Sequence, residues 1–277
     1  MLVSRSRHYY PDGTTVFQVE NTLYRLHASL LQQRSPIFRH MFSVPPGTNA
    51  SEGKDDSAPI CLHGVKSSDF DHLCFYPFGC FVKHSSSEDF LVALIKLSTL
   101  YDIEDGREYA IAQFPTSPTW RPALQLHIAR SYRVEDWIEP AFRQLIANPT
   151  ISMPWCDAEL LGLPTYHLVV QTITKVEAQQ KLLAFYPAEM KEWIFCTTPE
   201  NCTSCWELGW WNHVARHLLH PDAALSGQKM TELLGSIKIP GMCHHCQGET
   251  VSSLVENGAL LMEEAFISEA IQQLDMF

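Results

Sequence analysis

The chain has 277 residues, a net charge of −11 and an apolar fraction of 45%, as expected of a folding protein with about two domains at ~100–200 residues each. Its Lys and Arg are scattered as singles, so no basic stripe offers itself to nucleic acid, and protein partners are expected instead. No apolar run approaches the ~18 residues of a membrane span, and no apolar segment follows the basic start "MLVSRSRHYYPDG", which points to the cytosol or nucleus with no membrane contact.

In chain order, residues 14–26, "TTVFQVENTLYRL", predict two short strands around a Glu20-Asn21-Thr22 turn. "HASLLQQR" predicts a short helix. The next opens at Ser35-Pro36, a capping residue followed by proline at the first helical position. It carries Phe38, Met41 and Phe42 on one face, a pattern that normally points into a core. His27, just after a strand, reads as a buried, hydrogen-bonded structural histidine with no nucleophile near it. Residues 43–59 are rich in Pro, Gly, Ser and charge and are expected to form a mobile surface loop.

"ICLHGV" then predicts a third strand, and "SDFDHLCFY" opens with Ser68 and Asp71 at the spacing of a helix start. Residues 77–87, "PFGCFVKHSSS", break the pattern. "EDFLVALIKLSTLYDI" places Phe90, Leu94, Leu97 and Tyr101 on one helix face, and a further helix is expected near 104–114. From "PTSPTWRP" onward every segment predicts helix, including a long one that starts at Pro164. No internal repeat occurs.

Two C-x-x-C pairs stand out near the end, Cys202/Cys205 in "CTSCWELGWW" and Cys243/Cys246 in "CHHC". Each is expected directly before a helix or in its lead-in turn. Nine cysteines in a chain of this kind are expected as reduced thiols or metal ligands. Two thiolate pairs can complete a tetrahedral zinc site, which makes Cys202, Cys205, Cys243 and Cys246 the candidate metal ligands. The gap of 37 residues between the pairs exceeds the ~15–20 of a compact ribbon, although two intervening helices can return the chain to its start. His213 and His217, His244 and His245, and Cys196, six residues before the first pair, compete as ligands.

Two other readings stay open: four buried thiols packed as small hydrophobes, or a redox pair activated at a helix N-terminus. A closed four-Cys site would be structural, since it keeps no open position for a substrate. Trp206 and Trp210, four apart, are expected to face the core, with Trp211 turned elsewhere. No phosphate loop, dinucleotide fingerprint, nucleophile elbow or H-E-x-x-H motif is present, so no enzyme activity is expected.

The stretch "DGTTVFQVENTLYRLHASLLQQRSPIFRHMFS", with His27, Leu30, Ser35, Phe38 and Met41-Phe42 in order, resembles a BTB/POZ domain; "ICLHGVKSSDFDHLCFY" and "LIKLSTLYDIEDGREYAI" extend the likeness. The whole chain is similar to the BTB-domain proteins of basidiomycete fungi. The resemblance implies an α+β fold: a BTB/POZ domain over residues 1–115, in which helices cover a small sheet, then an all-α region. That region would comprise a helical part over 116–198 and a helical module with the two C-x-x-C pairs over 199–277. It further implies a homodimer acting as a protein–protein interaction module. In some family members it implies a substrate adaptor that binds a cullin in a ubiquitin ligase. Residues 77–87 depart from the family pattern, and no cullin-contact motif is identified there.

Overall fold

A computed structural model of the chain describes residues 3–44, 52–78, 87–147, 153–221 and 223–274. The chain is mixed α/β, with a small four-stranded sheet at its N-terminal end followed by helices. It divides into two compact units, residues 1–121 with 128–134, and residues 122–127 with 135–277. Among the described residues no helix is long and apolar enough to cross a membrane.

In the first unit the sheet runs β1 (Ser4–Tyr9), β3 (Thr22–Leu26), β2 (Thr15–Val19), β4 (Ile60–Cys61), in that spatial order. The hairpin β2–β3 is antiparallel, with Phe17 opposite Tyr24 and Val19 opposite Thr22. Glu20 closes its turn with φ 53°, in the left-handed region such a tight reversal needs. Val16, Phe17 and Val19 are all buried, so both faces of β2 are covered. β1 lies parallel to β3 and was not expected, because "SRSRHY" is polar and basic. Its order comes from side-chain anchors: Ser6 donates to Asp71 (2.8 Å), and Arg5 and Tyr9 both bind the Asp56 carboxylate (2.6 and 2.5 Å).

These same bonds bear on the expected loop 43–59. Residues 45–51 lie outside the described residues, but 52–59 form a compact turn tied to β1 and, through Val16 N–H to the Gly53 carbonyl (2.8 Å), to β2. Of residues 77–87, 79–86 also lie outside the described residues.

Helices α1 (Ala28–Arg34) and α2 (Pro36–Ser43) meet at Ser35, whose hydroxyl accepts from Phe38 N–H (3.0 Å) and donates to the Tyr101 carbonyl (2.5 Å). Helix α3 (Ser67–Phe78) begins where Ser67 gives both its N–H and its hydroxyl to the Glu20 carboxylate (3.0 and 2.8 Å). Helix α4 (Glu88–Leu100) buries Phe90, Leu94 and Leu97, with Tyr101 just beyond it, as their spacing predicts. α5 (Glu104–Gln113) follows. Rings fill the centre: Phe38 stacks on Tyr101 (4.6 Å between centroids), and Tyr24 meets Phe70 edge-on (4.9 Å).

Phe38 is fully buried, whereas Met41 and Phe42 are half-buried at the rim of the same core. His27 differs from expectation. It is half-exposed, because it occupies the N-cap position of α1 just past the end of β3, 3.6 Å from the exposed Asp12.

The second unit starts with the first half of α6 (Pro122–Tyr132) and continues through α7 (Ile138–Ala147) and α8 (Trp155–Phe185). The α8 helix is broken at Gly162 (φ 74°), two residues before Pro164, so the long helix begins at that proline as expected. Its face, with Leu168, Val169 and Ile173, packs on Leu126, Phe142 and Leu145 and on Ile267 and Leu274 of α13 (Met262–Leu274). Between α8 and α13 lie α9 (Pro199–Trp210), a wider π turn over Trp211–Ala215, α10 (Arg216–Leu218), α11 (Gly227–Ser236) and α12 (His244–Glu256).

Candidate metal centre

The site grows from the end of α8. Residues 187–198 are irregular and fold back over the starts of α9 and α12. Lys191 N–H donates to Thr250 Oγ1 (2.9 Å), and Thr250 in turn donates to the Cys246 carbonyl (2.7 Å). Trp193 stacks on His245 with ring centroids 4.3 Å apart. A turn closed by Cys196 N–H to the Trp193 carbonyl (2.8 Å) then presents the Cys196 side chain.

Beneath this segment, Trp206 and Trp210 fill the module's core, 5.6 Å apart, while Trp211 is exposed, as their spacing predicts. Each buried indole N–H is satisfied, Trp206 by the Ala188 carbonyl (2.7 Å) and Trp210 by that of Leu183 (2.9 Å). The helices bearing the two cysteine pairs are therefore locked to the returning segment by both packing and hydrogen bonds.

Three thiols converge there. The sulfurs of Cys196, Cys202 and Cys246 all lie within 4.8 Å of one another and could hold a metal ion. Cys196 and Cys202 are 3.8 Å apart. With Zn–S bonds of ~2.3 Å, the edge of a tetrahedral site is about 3.8 Å, so this pair already stands at ligand spacing. Cys202 and Cys246 are fully buried and Cys196 is half-exposed. Cys243 lies beside the group at the N-cap of α12, its thiol interacting with that of Cys196.

Backbone donors face the sulfurs: Cys243 N–H meets Cys202 Sγ (3.3 Å), and Trp193 N–H meets Cys246 Sγ (3.4 Å). Such bonds stabilise negative charge on sulfur, the form in which thiols bind metal. The Thr198 N–H, and then the neighbouring thiols, hold Cys196 below the ordinary thiol range. Burial, opposed by the Trp193 N–H, pushes Cys246 up to about 12. A cation bound between these sulfurs would favour the thiolate form of each.

The structure brings Cys202, Cys243 and Cys246 together but not Cys205. Cys205 is half-buried against the tryptophan core, beside Gly241, where an added Cβ would come within 3.0 Å of its sulfur. Cys196 occupies the place that spacing assigned to Cys205. Its proximity to Cys202 in sequence was the available signal, but only the fold-back of 187–198 brings it into the cluster. The motifs also sit deeper in their helices than expected: Cys202 and Cys205 are inside α9, and Cys246 is in the first turn of α12. His244 and His245 do not join the sulfurs, and His245 is taken up by Trp193. No protein-family model matches the chain, and no curated protein does.

Proposed function

We propose that the protein is a non-catalytic interaction protein: a BTB/POZ-type N-terminal unit that self-associates, joined to a helical unit pinned by one structural zinc and displaying a partner-binding surface. Zinc is held by Cys196, Cys202, Cys243 and Cys246. The observation that carries the reading is the convergence of the Cys196, Cys202 and Cys246 thiols from the 187–198 segment, α9 and α12, with Cys243 beside them at the N-cap of α12. Four sulfurs would fill the coordination sphere and leave no position for a substrate, so the metal's work is to hold three segments together. Support for the N-terminal part comes from the small helix-covered sheet and from the residues that carry the resemblance, of which Ser35 and Phe38 are fully buried.

Elemental analysis of the full chain, purified under reducing, metal-replete conditions, tests the centre. Zinc near one per chain is expected, retained in Cys205→Ser and lost or strongly reduced in Cys202→Ser. Equal loss in both variants would return Cys205 to the site and break the assignment. Light scattering at micromolar concentration tests self-association, for which a dimer mass is expected; a monomer removes that part alone.

A further inference from the structure

We propose that Cys196 is an oxidation site for hydroperoxides, with Cys202 as the resolving thiol, so that peroxide empties the metal centre by closing a Cys196–Cys202 disulfide. This rests on the zinc reading above.

Of the three tightly clustered sulfurs, two are sealed: Cys202 and Cys246 have no exposed surface. Cys196 is half-exposed, on a segment whose neighbours Ile194 and Phe195 stand in solvent at 84% and 69% exposure. A small oxidant therefore meets Cys196 before it meets the buried pair. Its sulfur stands 3.8 Å from that of Cys202, and a disulfide needs ~2.0 Å. The required approach is short, and the chain that must move is irregular, whereas Cys202 and Cys246 are fixed on helices.

Cys243 is the other half-exposed sulfur of the site. It is less free, because its backbone caps α12 and its N–H is committed to Cys202 Sγ.

The chemistry balances as a two-electron exchange. The Cys196 thiolate attacks the terminal peroxide oxygen, the O–O bond breaks, and the departing hydroxide (or alkoxide, from an organic hydroperoxide) takes a proton from solvent, leaving a sulfenic acid. The Cys202 thiolate then attacks that sulfur, the S–O bond breaks, a second hydroxide leaves, and the S–S bond forms. Two thiolates are oxidised to one disulfide and one hydroperoxide is reduced. Zinc is left on Cys243 and Cys246 alone, too few ligands for a closed site, and dissociates. A dithiol reductant with added zinc reverses the sequence.

The test uses the full chain, first assayed for bound zinc and then exposed to hydrogen peroxide beside a chromogenic zinc chelator. Release of about one zinc per chain is expected, with a Cys196–Cys202 cross-link in a non-reducing digest and recovery on adding dithiothreitol and zinc. Cys61 and Cys156 are exposed and will oxidise as well, so the assay is repeated with both replaced by serine; release should be unchanged.

Cys196→Ala should abolish the cross-link, and the wild-type digest decides the matter even if that variant folds poorly. Zinc retained after Cys61 and Cys156 have been oxidised overturns the proposal, as does a Cys243–Cys246 disulfide with Cys196 free. A chain that holds no zinc before peroxide is added sinks the zinc reading itself, and this proposal with it.

Discussion

Ser35 makes two bonds with one hydroxyl, and both ends of the arrangement are buried. It accepts from the Phe38 N–H at the start of α2 and donates to the Tyr101 carbonyl beyond the end of α4. Helix capping contributes ~0.5–2 kcal/mol, and a buried carbonyl left without a donor costs ~1–3 kcal/mol. Ser35→Ala should therefore destabilise the first unit by about 2–3 kcal/mol, read as a lower midpoint in chemical denaturation at unchanged slope. A loss within about 0.5 kcal/mol, the ordinary range of surface changes, would show that water replaces the hydroxyl. The same scale explains why Cys205 stands apart from Cys202. Three residues along a helix turn a side chain by about 60° and carry it about 4.5 Å along the axis. On α9 that step moves Cys205 from the thiol cluster to the flank of the tryptophan core. C-x-x-C spacing binds metal readily from a turn that bends both sulfurs inward, and less readily from the middle of a straight helix.

Between elements, the start of α13 is joined to the start of α11 through Glu263, whose carboxylate accepts the Gly227 N–H at 2.7 Å. A Cβ on Gly227 would overlap the Leu260 carbonyl, so α11 approaches this turn by its bare backbone. Burial raises the Glu263 carboxyl above its ordinary 4.5; the Gly227 N–H opposes this, Glu264 adds to it and Arg143 opposes it. Arg143 is itself engaged by Glu264 in two bonds of 3.0 and 2.7 Å. A carboxyl whose folded pKa lies above its unfolded one favours the folded state below the unfolded value, and that contribution is lost as pH rises through the folded pKa. Glu263→Gln keeps an oxygen for Gly227 and removes the ionisation. The difference in stability, variant minus wild type, should therefore grow from acid toward neutral pH, with the glutamine form the more stable at pH 7. A flat difference curve in denaturation from pH 4 to 7 would refute this. Element-level features were unevenly legible in the sequence. The apolar period of α4 and the Gly162–Pro164 break in α8 could be read directly, since each is local chemistry. Strand β1 could not, because Arg5 and Ser6 are ordered by partners some fifty residues or more away in sequence.

For the whole molecule, the mixed fold with a small N-terminal sheet was legible because hairpin and helix signals are short-range. The candidate centre was legible only in part. Cys202, Cys243 and Cys246 were marked by spacing, while Cys196 depends on the return of residues 187–198, which carries no local pattern. The end of α8 and the return that follows it give the second unit's tryptophan core and thiol cluster one scaffold: Trp210 is bonded to the Leu183 carbonyl in α8, Trp206 to that of Ala188, and Cys246 to Trp193. On the zinc reading proposed above, metal loss should be felt in the core. Structural zinc contributes folding free energy directly, on the order of 10 kcal/mol in small sites, more than enough to tip a marginally stable unit. Six of the seven tryptophans belong to the second unit and only Trp120 to the first, so tryptophan emission reports mainly on the second. Stripping zinc with a strong chelator should shift that emission to the red and open the 187–198 segment to proteolysis. The first unit has a separate core built on Phe17, Phe38 and Phe70, and it should keep its far-ultraviolet signal and its own thermal transition. Emission that stays unshifted after complete removal of zinc would mean that packing alone holds the helices, and the metal would then be a passenger in a fold already made.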